Sequence, residues 1–460
     1  MVKRFLLDKK HVAIHGLNWR CSGEFTVRCN PPKKPEAPIM VKEKPWEMGT
    51  LNWATVRMEN GVMRLWYEAF DADGGMDMDS RLCYAESRDN GATWERPELG
   101  LCEFRGSKKN NIVMDRKLTH GLGLHGHSIF VDPNSPAEAR YRCFFLGELP
   151  CEIGANHVTV MSYAYSADGI HWIHGAPELP VNYNMNPILH FGSDTQCVVT
   201  WDRELRRYVG YFRNLEPNGA RSIGRSETQS LLDWPMPKTV LAPDFQESPV
   251  TDYYNSAATK VEDQGDSVWY AFYSVFDHDS NELHVCLATS RDGVHFDQLD
   301  RTPYIPNDRY YDKGGMYVSP GILDLGDGVQ AIFYHAEVYN HATLIHEGFD
   351  GGYCLATFPK DRLQGLDTKT AFEFTVVGKV DPLNPEVVLN ADIRGRVRAA
   401  LIGPDGQFIP GFTKEDCIPV TGDSLEHRIA WKGAPTDIRE ADLKLYAEDA
   451  TLYTVTVNKA

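Results

Sequence analysis

From residue 46 to residue 368 apolar and polar positions alternate in short runs, and the runs return in a fixed order. Each copy offers an opening strand, a tight polar turn, an aromatic-rich strand, a third strand, and a Ser-x-Asp-Gly type of turn before an aromatic. The first copy reads Thr50–Met58, Met63–Phe70 and Leu82–Ser87, with Asn60-Gly61 as its tight turn and Ser87 to Trp94 as its closing one. The second has His127–Val131, Tyr141–Leu146 and Thr159–Ser166, closing at Asp168-Gly169 before Trp172. The third runs from Thr195 through Tyr208–Arg213 and Ser222–Ser226 to Trp234. The fourth runs from Asn255 through Val268–Val275 and Leu283–Ser290, closing at Asp292-Gly293 before Phe296. The fifth has Tyr317–Leu325, Val329–His335 and Tyr353–Phe358.

Self-similarity at a period of roughly 50–70 residues is the mark of a repeat architecture. Helical periodicity is scarce, so the expected fold is all-β: a five-bladed β-propeller over 46–368 followed by a C-terminal β-sandwich over 369–460. The sandwich is read from Phe372–Val377, Glu386–Ile393, Arg396–Ile402, His427–Trp431, Leu443–Tyr446 and Leu452–Val457. Residues 1–45, with PPKKPEAP at 31–38, form a lead-in expected to pack on the propeller. In the closing turns aspartate accepts from backbone amides and glycine supplies a positive φ, which makes Asp89, Asp168 and Asp292 staples rather than catalysts.

Composition narrows the function. A chain of 460 residues that is 42% hydrophobic and 11% aromatic can bury a sizeable core. Its net charge of −17 argues against nucleic acid and against anionic membranes as partners. The opening residues hold too short an apolar run for a signal peptide, and no stretch is long enough to span a bilayer, so a cytoplasmic location is expected. The ten cysteines are scattered with neither CxxC nor HExxH, which points to free thiols and no zinc site.

In a propeller the first strands of all blades start around one mouth. The residues gathered there would be Glu47 and Trp53, then His125 and His127, then Asp194 and Gln196, then Asp252, Tyr253, Tyr254 and Asn255, then Asp312 and Tyr317. Carboxylates, imidazoles, amides and aromatic faces are what a sugar pocket requires. Asp194 and Asp252 stand out as candidate acids, with a strand-opening cap as the plain alternative for each. Arg213 ends a second strand within reach of the mouth, or makes a surface ion pair. Asp312 has Lys313 beside it as a partner, and His335, His341 and His346 read as loop residues rather than a metal cluster.

The segments GSDTQ…WD…YVGYFRN…SIGRSE, DYYNSAA, LATSRDGVHF and MYVSPGIL, in this order, resemble a large bacterial group described as family-32-like. The architecture is similar to glycoside hydrolase family 32, whose propeller is shared by families 43, 62, 68 and 117. By blade position the resemblance puts the family's three catalytic acids on Glu47, Asp194 and Asp252. Its nucleophile motif is absent, however, and its other two acid motifs are replaced by Ser193-Asp194-Thr195 and Thr251-Asp252-Tyr253. What it implies is a glycosidase, exo-acting on furanosides such as fructosides, with a pocket closed by the 107–125 and 336–352 loops. No cofactor is required, a structural calcium ion in the axial channel is the one metal it allows, and self-association would run through the sandwich. The rival readings are a non-catalytic carbohydrate-binding propeller, a sialidase-like enzyme and a polysaccharide lyase.

Overall fold

The computed structural model describes residues 1–13, 23–71, 80–150, 157–178, 193–263, 265–341 and 348–458. Cys21, Cys151 and His346, and residues 342–347 of the expected closing loop, lie outside them. Among the described residues the chain is all-β, with helix confined to three single turns at Lys9–His11, Pro45–Glu47 and Ala137–Ala139.

Five antiparallel sheets of four strands each follow one another along the chain. Their first strands are Thr50–Glu59, His125–Val131, Val198–Asp202, Thr251–Asp263 and, in two pieces, Gly315–Val318 with Leu323–Gly326. Pro320, which has no amide to donate, and Gly321 at φ +110° break that last one. Each first strand lies against the first strand of the next sheet, and the fifth sheet returns to the first. Local chemistry sets the turns. Asn60-Gly61 (φ +51° and +75°) makes the two-residue hairpin after Thr50–Glu59, because both positions need the left-handed region. Asp168 and Asp292 each accept two backbone amides at 2.8 Å, and Asp89 accepts from the Thr93 amide and hydroxyl.

The lead-in does two things. Its middle runs beside Gly351–Pro359, with Lys33 exchanging amide bonds with Thr357 and Met40 receiving the Tyr353 amide, and so adds an edge to the fifth sheet. There the buried Lys34 ammonium donates to Asp312 at 2.6 Å. Its earlier strands, Val2–Phe5, Val12–Ala13 and Thr26–Cys29, belong to the terminal sheet.

That terminal sheet has seven strands, with Gln364–Val380, Ala441–Val457 and Val387–Ile402 at its centre. Pieces read from the sequence as separate strands are continuous here. Arg394-Gly395 interrupts the register of Val387–Ile402 without ending it, and Asp449 (φ +47°) bulges Ala441–Val457 in the same way. These strands share one buried cluster that includes Phe374, Leu389, Val397, Leu445 and Val455. A two-stranded ribbon, Cys417–Ile418 with Ala430–Trp431, lies over it, and the Trp431 indole donates to the Ala399 carbonyl at 2.8 Å.

Asp266 fastens the lead-in to the fourth sheet. Its buried carboxylate meets His11 Nε2 and Lys10 Nζ at 2.7 Å, the Phe5 amide at 3.0 Å and Arg291 at 3.2 Å. Burial pushes its pKa up, but the His11, Lys10 and Phe5 bonds outweigh that and hold it below the usual carboxylate range. A depressed folded pKa contributes stability above the unfolded value of 3.8, and that stability is lost as pH falls through the folded value. Asp266→Ala should therefore cost about 1–3 kcal/mol at pH 7 in urea unfolding, since it leaves the Phe5 amide and the His11 ring without their buried partner. The gap to wild type should narrow as the pH is lowered toward 2; a gap independent of pH would contradict this account.

Candidate active site

Antiparallel pairing puts the start of each first strand beside the end of the second: Thr50 opposite Phe70, His125 opposite Leu146, Thr251 opposite Asp277 and Gly315 opposite Glu337. One edge of the sheet ring thus collects residues from both strands. Asp194 precedes its strand with 54% of its side chain exposed. Arg213 Nη1 donates to its Oδ2 at 2.8 Å, and His125 Nε2 lies 3.9 Å from Oδ1. The Arg213 guanidinium also caps the Tyr254 ring at 4.3 Å and donates to the Tyr254 carbonyl. Asp194, Arg213 and Arg221 line a cleft of about 400 Å3 whose other wall is Leu215, Met236 and Pro237.

Asp252 lies on the same edge but is fully engaged. Arg221 gives it both its amide and Nη1 at 2.8 Å, and His278 Nε2 lies 2.8 Å from Oδ2. Burial raises its pKa, yet the Arg221 and His278 bonds win and it stays below the ordinary value. An irregularity between Tyr253 and Asn255 sets which aromatic reaches the mouth. Tyr253 turns inward onto Tyr273 with its hydroxyl donating to Glu247, while Tyr254 packs on His341 (4.5 Å) and near Tyr317 (6.2 Å). Trp53 meets Tyr317 edge-on at 4.9 Å. The Tyr317 hydroxyl lies 2.7 Å from His341 Nδ1.

Glu337, at the end of its second strand, has a carboxyl pushed up to about 8, by burial first and by Asp350 second. That direction favours the protonated form near neutral pH, although 24% of its side chain is exposed. His341 and His335 are pulled down to about 4 and about 3 by burial, so both rings are neutral there. Glu337 and Glu68 escape the sequence reading; of the histidines read as loop residues, His341 does lie in a turn, whereas His335 is inside Val329–Glu337. The missed signal was a charged residue inside an apolar aromatic run, Trp66-Tyr67-Glu68-Ala69-Phe70 or Phe333-Tyr334-His335-Ala336-Glu337. Such a group must be paired or neutral.

Several expected site residues serve the fold instead. Glu47 is wholly buried, and its carboxylate accepts from Tyr67 Oη (2.6 Å), Arg96 (2.9 Å) and the Glu43 and Lys44 amides, which leaves nothing for a substrate. Gln196 spends its amide group on the Ala54 and His127 carbonyls and so clamps two sheets together. His127 is buried against the Trp66 carbonyl, and burial pulls it down to about 3. Asn255 is enclosed, and Asp312 pairs with Lys34 rather than Lys313. As for calcium, one trio of acids among the described residues, Asp202, Glu204 and Glu262, has ligand spacing. Lys260 Nζ already lies 2.8–2.9 Å from all three, so an ammonium fills that position and the trio does not fit a metal ion.

No family model matches the sequence, and no curated protein matches it either. Solved structures similar to it include a complex of BT0996 with RGII, at 16% identity and a TM-score of 0.49, covering 72% of this chain and 92% of that one. The Bombyx mori GH32 β-fructofuranosidase BmSUC1 is 11% identical with a TM-score of 0.44, over 94% of this chain and 92% of that one. A glycosyl hydrolase from Bacteroides ovatus is 16% identical with a TM-score of 0.46, over 72% and 91%. None of these likenesses is close enough to transfer a residue's role.

Because Glu47 neutralises the buried Arg96 rather than facing the cleft, Glu47→Ala should lower stability by about 3–5 kcal/mol in urea unfolding. Its ligand affinity, read by calorimetry on the folded fraction, should stay within about twofold of wild type.

Proposed function

We propose that the chain is a glycoside hydrolase acting at this edge, and that the five four-stranded sheets are the blades of a five-bladed propeller with the terminal sheet bent into a sandwich. The observation that carries this reading is two carboxyls on the one edge that also holds Trp53, Tyr254 and Tyr317: Asp194, exposed and ion-paired with Arg213, and Glu337, whose carboxyl is pushed up to about 8 by burial. A carboxyl whose pKa is raised by burial is suited to serve as the general acid near neutral pH. Glu337 would protonate the departing glycosidic oxygen. Asp194 would orient and activate the attacking water, or attack the anomeric carbon itself. Arg213, held by Asp194 and stacked on Tyr254, would present donors to sugar hydroxyls.

Asp252, proposed from sequence as a second acid, is better read as the anchor of Arg221 and His278. A cleft of about 400 Å3 lies within the usual small-ligand range of about 300–1,000 Å3. Removal of a terminal unit from a glycoside or oligosaccharide, of furanoside type, is what the family resemblance implies for the reaction. The full engagement of Asp252 favours one rival, a sugar-binding protein without chemistry; calorimetric heat from sugars with no product from a panel of 4-nitrophenyl glycosides and oligosaccharides would establish it.

For the enzyme, Asp194→Ala should lower kcat by about 10²–10⁴-fold while circular dichroism stays unchanged. In wild type kcat/KM should fall as pH rises through about 8, because Glu337 then gives up the proton it must donate. Glu337→Gln should abolish that alkaline limb along with most of the rate. A limb that persists in Glu337→Gln would remove Glu337 from the acid's role.

A further inference from the structure

The cleft that Asp194 lines has an apolar part that the reading above leaves unused. Antiparallel register sets Leu215 opposite Arg221 at the end of Arg207–Leu215, two residues beyond Arg213. Side chains opposite one another, or two apart along a strand, share a face, so this leucine stands among the arginines of the cleft. Met236 and Pro237 come from the segment that leads into Lys238–Leu241. Gly224 lets Pro237 approach, since a Cβ on that glycine would stand 2.8 Å from Pro237 Cβ and 3.0 Å from Asn214 Cβ. Leu215 and Met236 each keep 62% of their surface exposed, and both line the cleft with Pro237. The polar groups around them are engaged in the scaffold. Arg213 holds Asp194, Arg221 holds Asp252, and the Asn214 amide donates to Thr239 Oγ1 at 2.9 Å.

Sugar hydroxyls need donors and acceptors, and a side chain such as Leu215 or Met236 supplies neither. What exposed apolar side chains gain from a ligand is removal from water, and an apolar patch rimmed by polar groups marks a binding groove. We propose that this part of the cleft seats the departing group, and that the substrate class is a glycoside whose aglycone is apolar and about the size of one aromatic ring. The proposal rests on the glycosidase reading and names its substrate. The sugar lies toward Asp194 and the aromatic edge of Trp53, Tyr254 and Tyr317, and the aglycone runs along Leu215, Met236 and Pro237. The Met236 thioether is a favourable neighbour for an aromatic ring. Arg221, with 31% of its side chain exposed, offers a guanidinium to the ring face, as it does to Tyr254 at 5.3 Å. Hydrolysis of such a glycoside consumes one water, breaks the bond from the anomeric carbon to the departing oxygen, and yields the free sugar and an apolar alcohol. No further reactant is needed.

The test uses the full chain and pairs of glycosides that share a sugar and differ only in the aglycone, benzyl against methyl. The two alcohols are of similar acidity, so the chemistry of departure is matched and the difference reads the contact. In wild type the benzyl member should have a KM about tenfold or more below that of the methyl member. The double variant Leu215→Asn, Met236→Gln, made at exposed positions, should keep the wild-type melting temperature and bring that ratio to within about twofold of one. Ile418→Asn, at a similarly exposed apolar residue of the terminal ribbon, should keep the wild-type ratio. Equal KM values for the two members in wild type overturn the proposal and leave the enzymatic reading standing, as does a ratio that survives in the double variant. If wild type turns over no glycoside the enzymatic reading fails, and calorimetry with the same pairs decides the site by itself. Tighter binding of the benzyl members, lost in the double variant, keeps the apolar seat; equal affinities, or no heat from any benzyl glycoside, remove it.

Discussion

The antiparallel ladder between the first and second strand of each four-stranded sheet is the constraint from which the rest follows. It makes one edge of each sheet out of a strand's start and its neighbour's end. Contact between successive first strands then brings these edges together, although His125, Asp194, Tyr254 and Tyr317 are far apart in the chain. A side chain reaches the mouth only if its register and pleat face are right. At Tyr253-Tyr254 a single irregularity decides between a core tyrosine and one that the cleft can use.

The acids sort by how much of their hydrogen-bonding capacity is already taken. Glu47, Asp202 and Asp312 sit beside buried cations, and Asp266 beside half-exposed Lys10 and buried His11; each closes a seam between segments that are remote in sequence. Breaking such a pair is costly because it leaves the partner charged and dry. Asp194 differs in keeping half of its side chain in solvent, with Arg213 at 2.8 Å and His125 at 3.9 Å. Glu337 differs in that burial, with Asp350 second, pushes its carboxyl up to about 8. The proposed roles rest on this distinction between fastened and available carboxyls rather than on the position of an acid along a strand.

Much of this was legible in the chain. Period-two runs and the Asn-Gly and Ser-x-Asp-Gly turns predict the four-stranded sheets, because those turns depend on local backbone chemistry. Asp194 and Trp53 were reachable by asking where first strands begin. Glu68, Glu337 and His341 were not, since they lie at or just beyond the ends of second strands. Glu47 and Asp312 misled for a different reason: their partners Arg96 and Lys34 are 49 and 278 residues away, and no local pattern announces a long-range ion pair. In the terminal sheet Arg394-Gly395 looks like a hairpin turn, but sheet partners on both sides hold the strand in register across it.

The interleaving of the first residues with the last ones has a consequence for how the molecule forms. Val2 to Phe5 pair with Val457 to Thr454, and Thr26 to Cys29 pair with the strand that begins at Gln364. During synthesis those early segments must wait, unpaired, until nearly the whole polypeptide has emerged. Contacts so distant in sequence carry a high loop-closure cost and form slowly. The four-stranded sheets can assemble one by one as they leave the ribosome, while the exposed early strands are the part of the nascent chain most in need of a chaperone.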